Sequence, residues 1–270
     1  MEFLWIKLVI AYDGSRFKGW QKGNGRTVQD VLEQALLAAL PRASSGAVPP
    51  GIWTGSQLQL VGAGRTDAGV HAEGQVASAV LPVPGTLKGQ RGLFLDGLLV
   101  AVNEELPPDM AVRSITEAPP RFHARYHTRS RTYRYTILNG PAGNPFRAAY
   151  SWHIPKQLDI PRMKEAASFL TGTKDFTSLT ADKSKSNRVR TLSTIRFEEI
   201  PYEPGGFELN IFYTADSFLW NQVRIMTNLL VQVGLGNREP ADVRAILETR
   251  NRAFAPEPAP ARGLCLVAAS

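Results

Sequence analysis

The chain has one cysteine, Cys265, among 270 residues, which excludes an intramolecular disulfide and any cysteine-rich zinc site. Cys265 sits between Leu264 and Leu266 in an apolar terminal run, the setting of a core residue in a reducing cytoplasm. Long apolar runs are lacking as well, and none reaches the roughly 18 residues that span a bilayer. The start, Met1-Glu2-Phe3-Leu4-Trp5-Ile6-Lys7, has neither the cationic opening nor the unbroken apolar segment of a secretory signal. A soluble, cytoplasmic protein with no membrane partner is expected. Nucleotide signatures are missing too. Gly62-Ala63-Gly64-Arg65-Thr66-Asp67 puts a carboxylate where the dinucleotide fingerprint needs its third glycine, and no Walker-type Gly-Lys-Ser/Thr ending occurs. The four histidines, His71, His123, His127 and His153, lack helical metal spacing, and His123 and His127 lie in a cationic segment that disfavours a divalent ion. The expectation is therefore no metal and no dependence on ATP or NAD.

Acidic residues are the minority charge: 24 Asp plus Glu stand against 31 Lys plus Arg, a net charge of +7. That balance favours a polyanionic partner if the cations cluster. They do between Arg121 and Tyr135, which hold five arginines, four aromatics and no acid. Guanidinium forks bind phosphates bidentately and aromatic faces stack on exposed bases, the pair of contacts that single-stranded or flipped nucleotides require. Arg121, Arg125 and Arg131 are the candidates there. A second run, Lys183, Lys185, Arg188 and Arg190, is spaced by Ser and Asn and reads equally well as a solvated face.

Hydrophobic content of 43% with 20% charged residues is that of a folded globular chain, long enough for one or two domains. Leu4, Ile6, Leu8, Ile10 and Tyr12 alternate with Trp5, Lys7, Val9 and Ala11, which predicts a first strand covered on both faces. Thr27 and Asp30 open a helix with Val28, Val31, Leu32, Ala35, Leu36, Ala39 and Leu40 on one face. Residues from Pro41 to Gln59 read as a loop, and a strand follows at Gln75-Val80. A helix through Leu93, Leu95, Leu98, Leu99 and Val102 ends before Pro107-Pro108. The second half predicts a strand at Tyr133-Leu138, a helix opened by Pro161, strands near Leu192-Ile200 and Gly206-Thr214, helices at Leu219-Val233 and Pro240-Leu247, and a closing strand at Leu264-Ala268. This order fits α+β architecture, two similar lobes each with a mostly antiparallel sheet covered by helices. Pro119-Pro120 is the expected boundary, giving lobes 1–118 and 119–270.

The stretch richest in chemical potential is Gly64-Arg65-Thr66-Asp67-Ala68-Gly69-Val70-His71. Its glycines let the backbone turn sharply, and Asp67 stands beside a permanent cation. An aspartate in such a turn either caps its own backbone or projects into a site.

Taken together, the blocks resemble the tRNA pseudouridine synthases of the TruA type nearly end to end. The matching residues are Tyr12-Asp13-Gly14-Ser15 with Phe17, Gly19-Trp20-Gln21, Thr27-Val28-Gln29 with Leu32-Glu33, and Gly64 through Ala72 with Gly74-Gln75-Val76. They continue with Arg121-Phe122-His123-Ala124-Arg125, Arg131 with Tyr133 and Tyr135, Phe218-Leu219 with Val223-Arg224, and Gly263-Leu264. The resemblance implies two α+β lobes meeting at a basic cleft, a homodimer, and action without cofactor on a uridine in the anticodon arm of tRNA, at three consecutive positions after the anticodon. It implies that Asp67 is the catalytic carboxylate, that Arg224 pairs with it and orients it, and that Tyr133 stacks on the uracil. Arg65 would fill the gap left by the flipped base or hold phosphate, with Thr66 beside it in the binding loop, and Leu264 would form an apolar wall.

Departures from the family pattern are Trp220 and Gln222, where Tyr and Met are usual, and Thr227-Asn228, where a small residue and Gly are common. They leave Asp67, Tyr133 and Arg224 in place and bear on substrate range. Two other readings compete. One is a tRNA-binding protein or RNA chaperone of the same fold that lacks the chemistry. The other is a base-releasing hydrolase, which pairs two carboxylates and for which Glu73 is the nearby second acid.

Overall fold

In the computed structural model, residues 2–23, 25–45, 55–83, 85, 89–182, 186–202 and 205–270 are described. The chain divides into two units, one of residues 1–128 with 266–270 and one of residues 129–265. The division falls after the Pro119-Pro120 expected to mark it, because residues 119–128 stay with the first unit. Ala124 in that segment is fully buried in a cluster with Ala63, Val76 and Ala269.

The first unit runs β1 (Glu2–Tyr12), α1 (Val28–Ala43), α2 (Gly55–Leu58), β2 (Val61–Gly62), β3 (His71–Val83), α3 (Arg91–Glu105), β4 (Met110–Glu117) and α4 (Ala124–His127). β1 is central, antiparallel to β3 on one side and β4 on the other, with Ile6 opposite Ala79 and Leu8 opposite Ala77. β2 also pairs with β3, through Val61 and Ser78. The expected cover of β1 is complete on one face, where Leu4, Ile6, Leu8, Ile10 and Tyr12 are buried, and partial on the other, where Trp5, Lys7, Val9 and Ala11 are half-buried, Val9 packs on the Ala63–Val76–Ala124–Ala269 cluster and Phe3 is 61% exposed. Full burial of an aliphatic side chain contributes about 1.5–3 kcal/mol, so this one row anchors the unit.

α1 and α3 pack on each other, burying Leu32, Leu36 and Leu40 with Phe94, Leu98 and Val102. Thr27 caps α1 by accepting from the Asp30 N–H, as its position predicts. The helix runs past Pro41 to Ala43, further than the loop expected to start there. Pro41 lies in the last turn, where Arg42 ties the helix end to the Ala101 carbonyl and to Glu105. Further along that predicted loop, residues 46–54 lie outside the described residues and Gly55–Leu58 form α2 instead of loop.

The second unit holds β5 (Arg131–Asn139), β6 (Trp152–Ile154), α5 (Ile160–Ser168), β7 (Gly172–Asp175), β8 (Val189–Tyr202), β9 (Gly206–Ala215), α6 (Gln222–Gly234) and α7 (Pro240–Thr249), and most of its sheet follows the order β5-β9-β8-β7. These pairs are antiparallel, while short β6 lies parallel to β5. β10 (Leu264–Ala269) closes the chain, with its residues from Leu266 belonging to the first unit. Tyr133, Tyr135 and Ile137 stand opposite Tyr213, Ile211 and Leu209, and all six are buried. The architecture is α+β, with a mostly antiparallel sheet flanked by helices. No helix among the described residues is long and apolar enough to cross a membrane.

Candidate active site

Asp67 lies on the short loop between β2 and β3, half-buried, between exposed Arg65 and the turn at Gly69, whose φ is 77°. The Val70 N–H donates to the Asp67 carbonyl at 3.1 Å, so the turn closes through the backbone of Asp67. Thr66, next to it, is locked in place: its hydroxyl meets the Tyr12 hydroxyl at 2.8 Å, and its carbonyl accepts from the Trp20 N–H at 3.0 Å. Gln75, fully buried on β3, donates its Nε2 to the Gly64 carbonyl at 2.8 Å. A second glycine-bearing loop packs on the first. A Cβ on Gly14 would stand 2.0 Å from the Val70 carbonyl oxygen, and one on Gly19 2.8 Å from that of Thr66. The loop carrying Asp67 is therefore braced from three directions by strand, side chain and backbone.

Also in the first unit, Arg121 and Arg125 are exposed on the segment that forms α4, and Arg121 adopts the left-handed region at φ 65°. In the second unit Arg131 is buried, and its Nη1 donates to the Asp216 carbonyl at 2.6 Å. Tyr133 is buried with its ring edge-on to Phe218 at 5.2 Å. Arg224, half-buried on α6, donates from Nε to the Ala259 carbonyl at 2.7 Å and from Nη1 to the Asn221 side-chain oxygen at 2.9 Å. Leu264 is buried at the start of β10, beside Gly263, where a Cβ would come within 2.6 Å of the Tyr135 ring. Tyr135 donates its hydroxyl to the Pro260 carbonyl at 2.8 Å. Burial pushes the Tyr135 phenol far above its ordinary range, against the opposing pull of the Arg224 and Arg262 charges. It is a fixed donor, not a titrating group.

The departures have structural roles. Gln222 is buried, and its side-chain oxygen accepts from the Leu219 N–H at 2.8 Å. Thr227 donates to the Val223 carbonyl and so accepts from the Tyr213 hydroxyl at 2.9 Å. Trp220 is 56% exposed. Sequence reasoning did not single out Asn221, Tyr12 as a brace, or the 259–260 segment. Asn221 adjoins the Phe-Leu…Val-Arg block, and Tyr12 is the last inward residue of β1. The 259–260 carbonyls carry no local signal at all. Among the described residues no group of three His, Cys, Asp or Glu is placed to hold a metal ion.

A family model for tRNA pseudouridine synthase matches residues 8–127 and 166–270. The chain belongs to the tRNA pseudouridine synthase family. Curated relatives named tRNA pseudouridine synthase A agree with this: one from Limosilactobacillus fermentum is 39% identical over 97% of this chain and 93% of its own length. One from Bacillus sp. strain KSM-64 is 39% identical over 92% of each chain, and one from Pelobacter propionicus is 38% identical over 97% of each. As a tRNA pseudouridine synthase family member, the chain carries Arg65, Thr66, Asp67, Arg121 and Arg125 in the first matched stretch and Arg224 and Leu264 in the second. Arg131 and Tyr133 fall in the interval 128–165 between them.

Proposed function

We propose that this chain isomerises uridine to pseudouridine in the anticodon arm of tRNA, with Asp67 as the catalytic carboxylate. The observation that carries the reading is the match of the family along both stretches, with Asp67 on a loop whose neighbour Thr66 is tied to Tyr12 and whose entry at Gly64 is tied to Gln75. Such bracing suits a group that must meet a reacting carbon within a fraction of an ångström.

The reaction breaks the N1–C1′ bond, turns the uracil in place and forms a C5–C1′ bond. The proton on C5 is released and N1 ends protonated, so no electrons are gained or lost and no cofactor is called for. A carboxylate there stabilises or adds to the electron-poor centre that forms when the base detaches. Reaching the uridine requires extruding it from the stack at a cost of a few kcal/mol. Arg65 is assigned to the vacated space or a flanking phosphate, Thr66 to its support, and Arg121 and Arg125 to phosphates. Tyr133 is assigned to the face of the uracil, Arg224 to pairing with and orienting the carboxylate, Leu264 to the apolar wall, and Arg131 to the frame behind Tyr133. The protein acts as a homodimer on the positions just after the anticodon.

The test is Asp67→Asn with tRNA carrying 5-tritiated uridine. The variant binds tRNA nearly as the unaltered chain does and releases no tritium to water. Equal release from the variant would remove Asp67 from the chemistry. Binding without release by the unaltered chain would favour the non-catalytic RNA-binding reading, and free uracil as product would favour a hydrolase using Glu73.

A further inference from the structure

The first unit presents the aromatic ring of Tyr126 to solvent with an imidazole stacked on it. Tyr126 is 75% exposed, yet its ring lies against the His123 imidazole with centroids 4.3 Å apart and planes inclined by 26°. A stacked imidazole behind the exposed ring restricts the rotamers it would otherwise sample. The segment beneath is anchored. Ala124 is fully buried, its N–H donates to the Ser78 hydroxyl at 3.0 Å, and Phe122 packs on the same small cluster while its ring stacks with His127 at 5.8 Å. Ala63, the residue that leads into Gly64-Arg65-Thr66-Asp67, belongs to that cluster too. The turn bearing Tyr126 and the loop bearing Asp67 thus rest on one shared packing unit, and Arg121 and Arg125 are exposed in the same short segment, with no acid in residues 119–128.

We propose that Tyr126, backed by His123 and carried on a segment that exposes Arg121 and Arg125, is a stacking platform for an unpaired base of the tRNA substrate other than the uridine that reacts. The inference rests on the tRNA reading above and adds a subsite to it. The chemistry is that of single-strand recognition: a π-face that accepts any base, with guanidinium groups in the same segment for the neighbouring phosphates. Because the ring is pre-placed, little side-chain freedom is lost on binding. The positive segment selects a polyanion over a second protein surface.

The experiment is equilibrium binding of an unmodified tRNA transcript at fixed salt to the full-length chain and to Tyr126→Leu and Tyr126→Phe, with assembly mass and tritium release measured for each. Leu keeps apolar bulk but removes the π-face, and affinity falls about 5- to 100-fold, the loss of one base stack. Phe keeps the face, and affinity stays within about twofold. The melting temperature is unmoved by Phe, which keeps the stack on His123, and falls only slightly with Leu, which loses it. Undiminished binding by Tyr126→Leu, while the unaltered chain binds and releases tritium, would overturn the platform and leave the function standing. An affinity loss that follows a change in assembly mass would assign the ring to a second copy and overturn it as well. An unaltered chain that neither binds tRNA nor releases tritium would remove the functional reading, and the platform with it.

Discussion

Arg224 donates from Nη1 to the side-chain oxygen of Asn221 at 2.9 Å, and Asn221 is the residue that opens α6 in the left-handed region, at φ 60°. A helix-opening Asn ordinarily has extended backbone and turns its oxygen to the N–H groups of the first turn, a bond worth about 1 kcal/mol. Asn221 makes no such bond. Its oxygen takes the guanidinium of the residue three positions on, and the Ala259 carbonyl holds the same guanidinium through Nε.

Asn221→Gly separates orientation from stability. Glycine adopts the left-handed region without strain, so the melting temperature stays close to that of the unaltered chain. The Asn221 contact with Arg224 is lost while that with the Ala259 carbonyl remains, and kcat for pseudouridine formation falls about 10-fold with KM little changed, the cost of a loosened functional group. Asn221→Asp keeps an acceptor and recovers most of the turnover. Steady-state kinetics on tRNA with 5-tritiated uridine checks both variants.

Tyr12→Phe tests the brace behind Asp67. The Tyr12 and Thr66 hydroxyls are both buried and 2.8 Å apart, so removing one leaves the other without that bond at a cost of about 1–3 kcal/mol. Urea denaturation reads this loss. Tyr12→Phe combined with Thr66→Val recovers part of it, and the non-additivity measures the coupling.

Glycine substitutions have opposite signs at two positions. Gly14→Ala forces a Cβ to within 2.0 Å of the Val70 carbonyl oxygen, a backbone atom that cannot step aside. We expect destabilisation of about 3 kcal/mol or more, the upper range for overpacking, together with loss of activity through the adjoining loop. Gly92→Ala, in α3 with nothing within 4 Å, stabilises by about 0.5–1 kcal/mol. Thermal melts of the two variants distinguish them.

Asp175 predicts a pH effect. The Thr177 hydroxyl donates to its carboxylate at 2.6 Å, and this bond first, the Thr177 N–H and the Arg250 and Arg188 charges after it, outweigh desolvation and hold the carboxyl below its ordinary value. A carboxyl depressed on folding contributes stability that is present above its unfolded value and lost as pH falls through the folded one. Thr177→Val therefore lowers the denaturation midpoint at neutral pH. The two proteins converge as pH drops below the carboxylate range. A gap that persists in acid would assign the effect to packing.

Much of the fold was legible because its signals are local and periodic. β1 shows its period of two, α1 its cap and apolar stripe, and β5, β8, β9, α6 and α7 their spacing. β4 escaped because its alternation is interrupted: the pairing with β1 slips between Val9 and Ile10. The four-residue α4 and three-residue β6 are too short to carry a period. Leu93, counted among the apolar residues of α3, is 75% exposed, since a residue's hydrophobicity does not say which side of the helix finds a partner.

The amino-acid order alone determined the family, through short blocks whose order and spacing run nearly end to end, and the loop that bears Asp67, through adjacent residues whose identities set the turn and its chemistry. The arginines between Arg121 and Arg134 looked alike in that order. Only the folded chain separated Arg131, buried and bonded to the Asp216 carbonyl, from Arg121 and Arg125, both exposed. It alone brought Gln75 to Gly64, Ala124 to Ala63 and the Ala259 carbonyl to Arg224. These contacts depend on which side chains lose water when distant strands and helices close together, and no spacing along the chain records that.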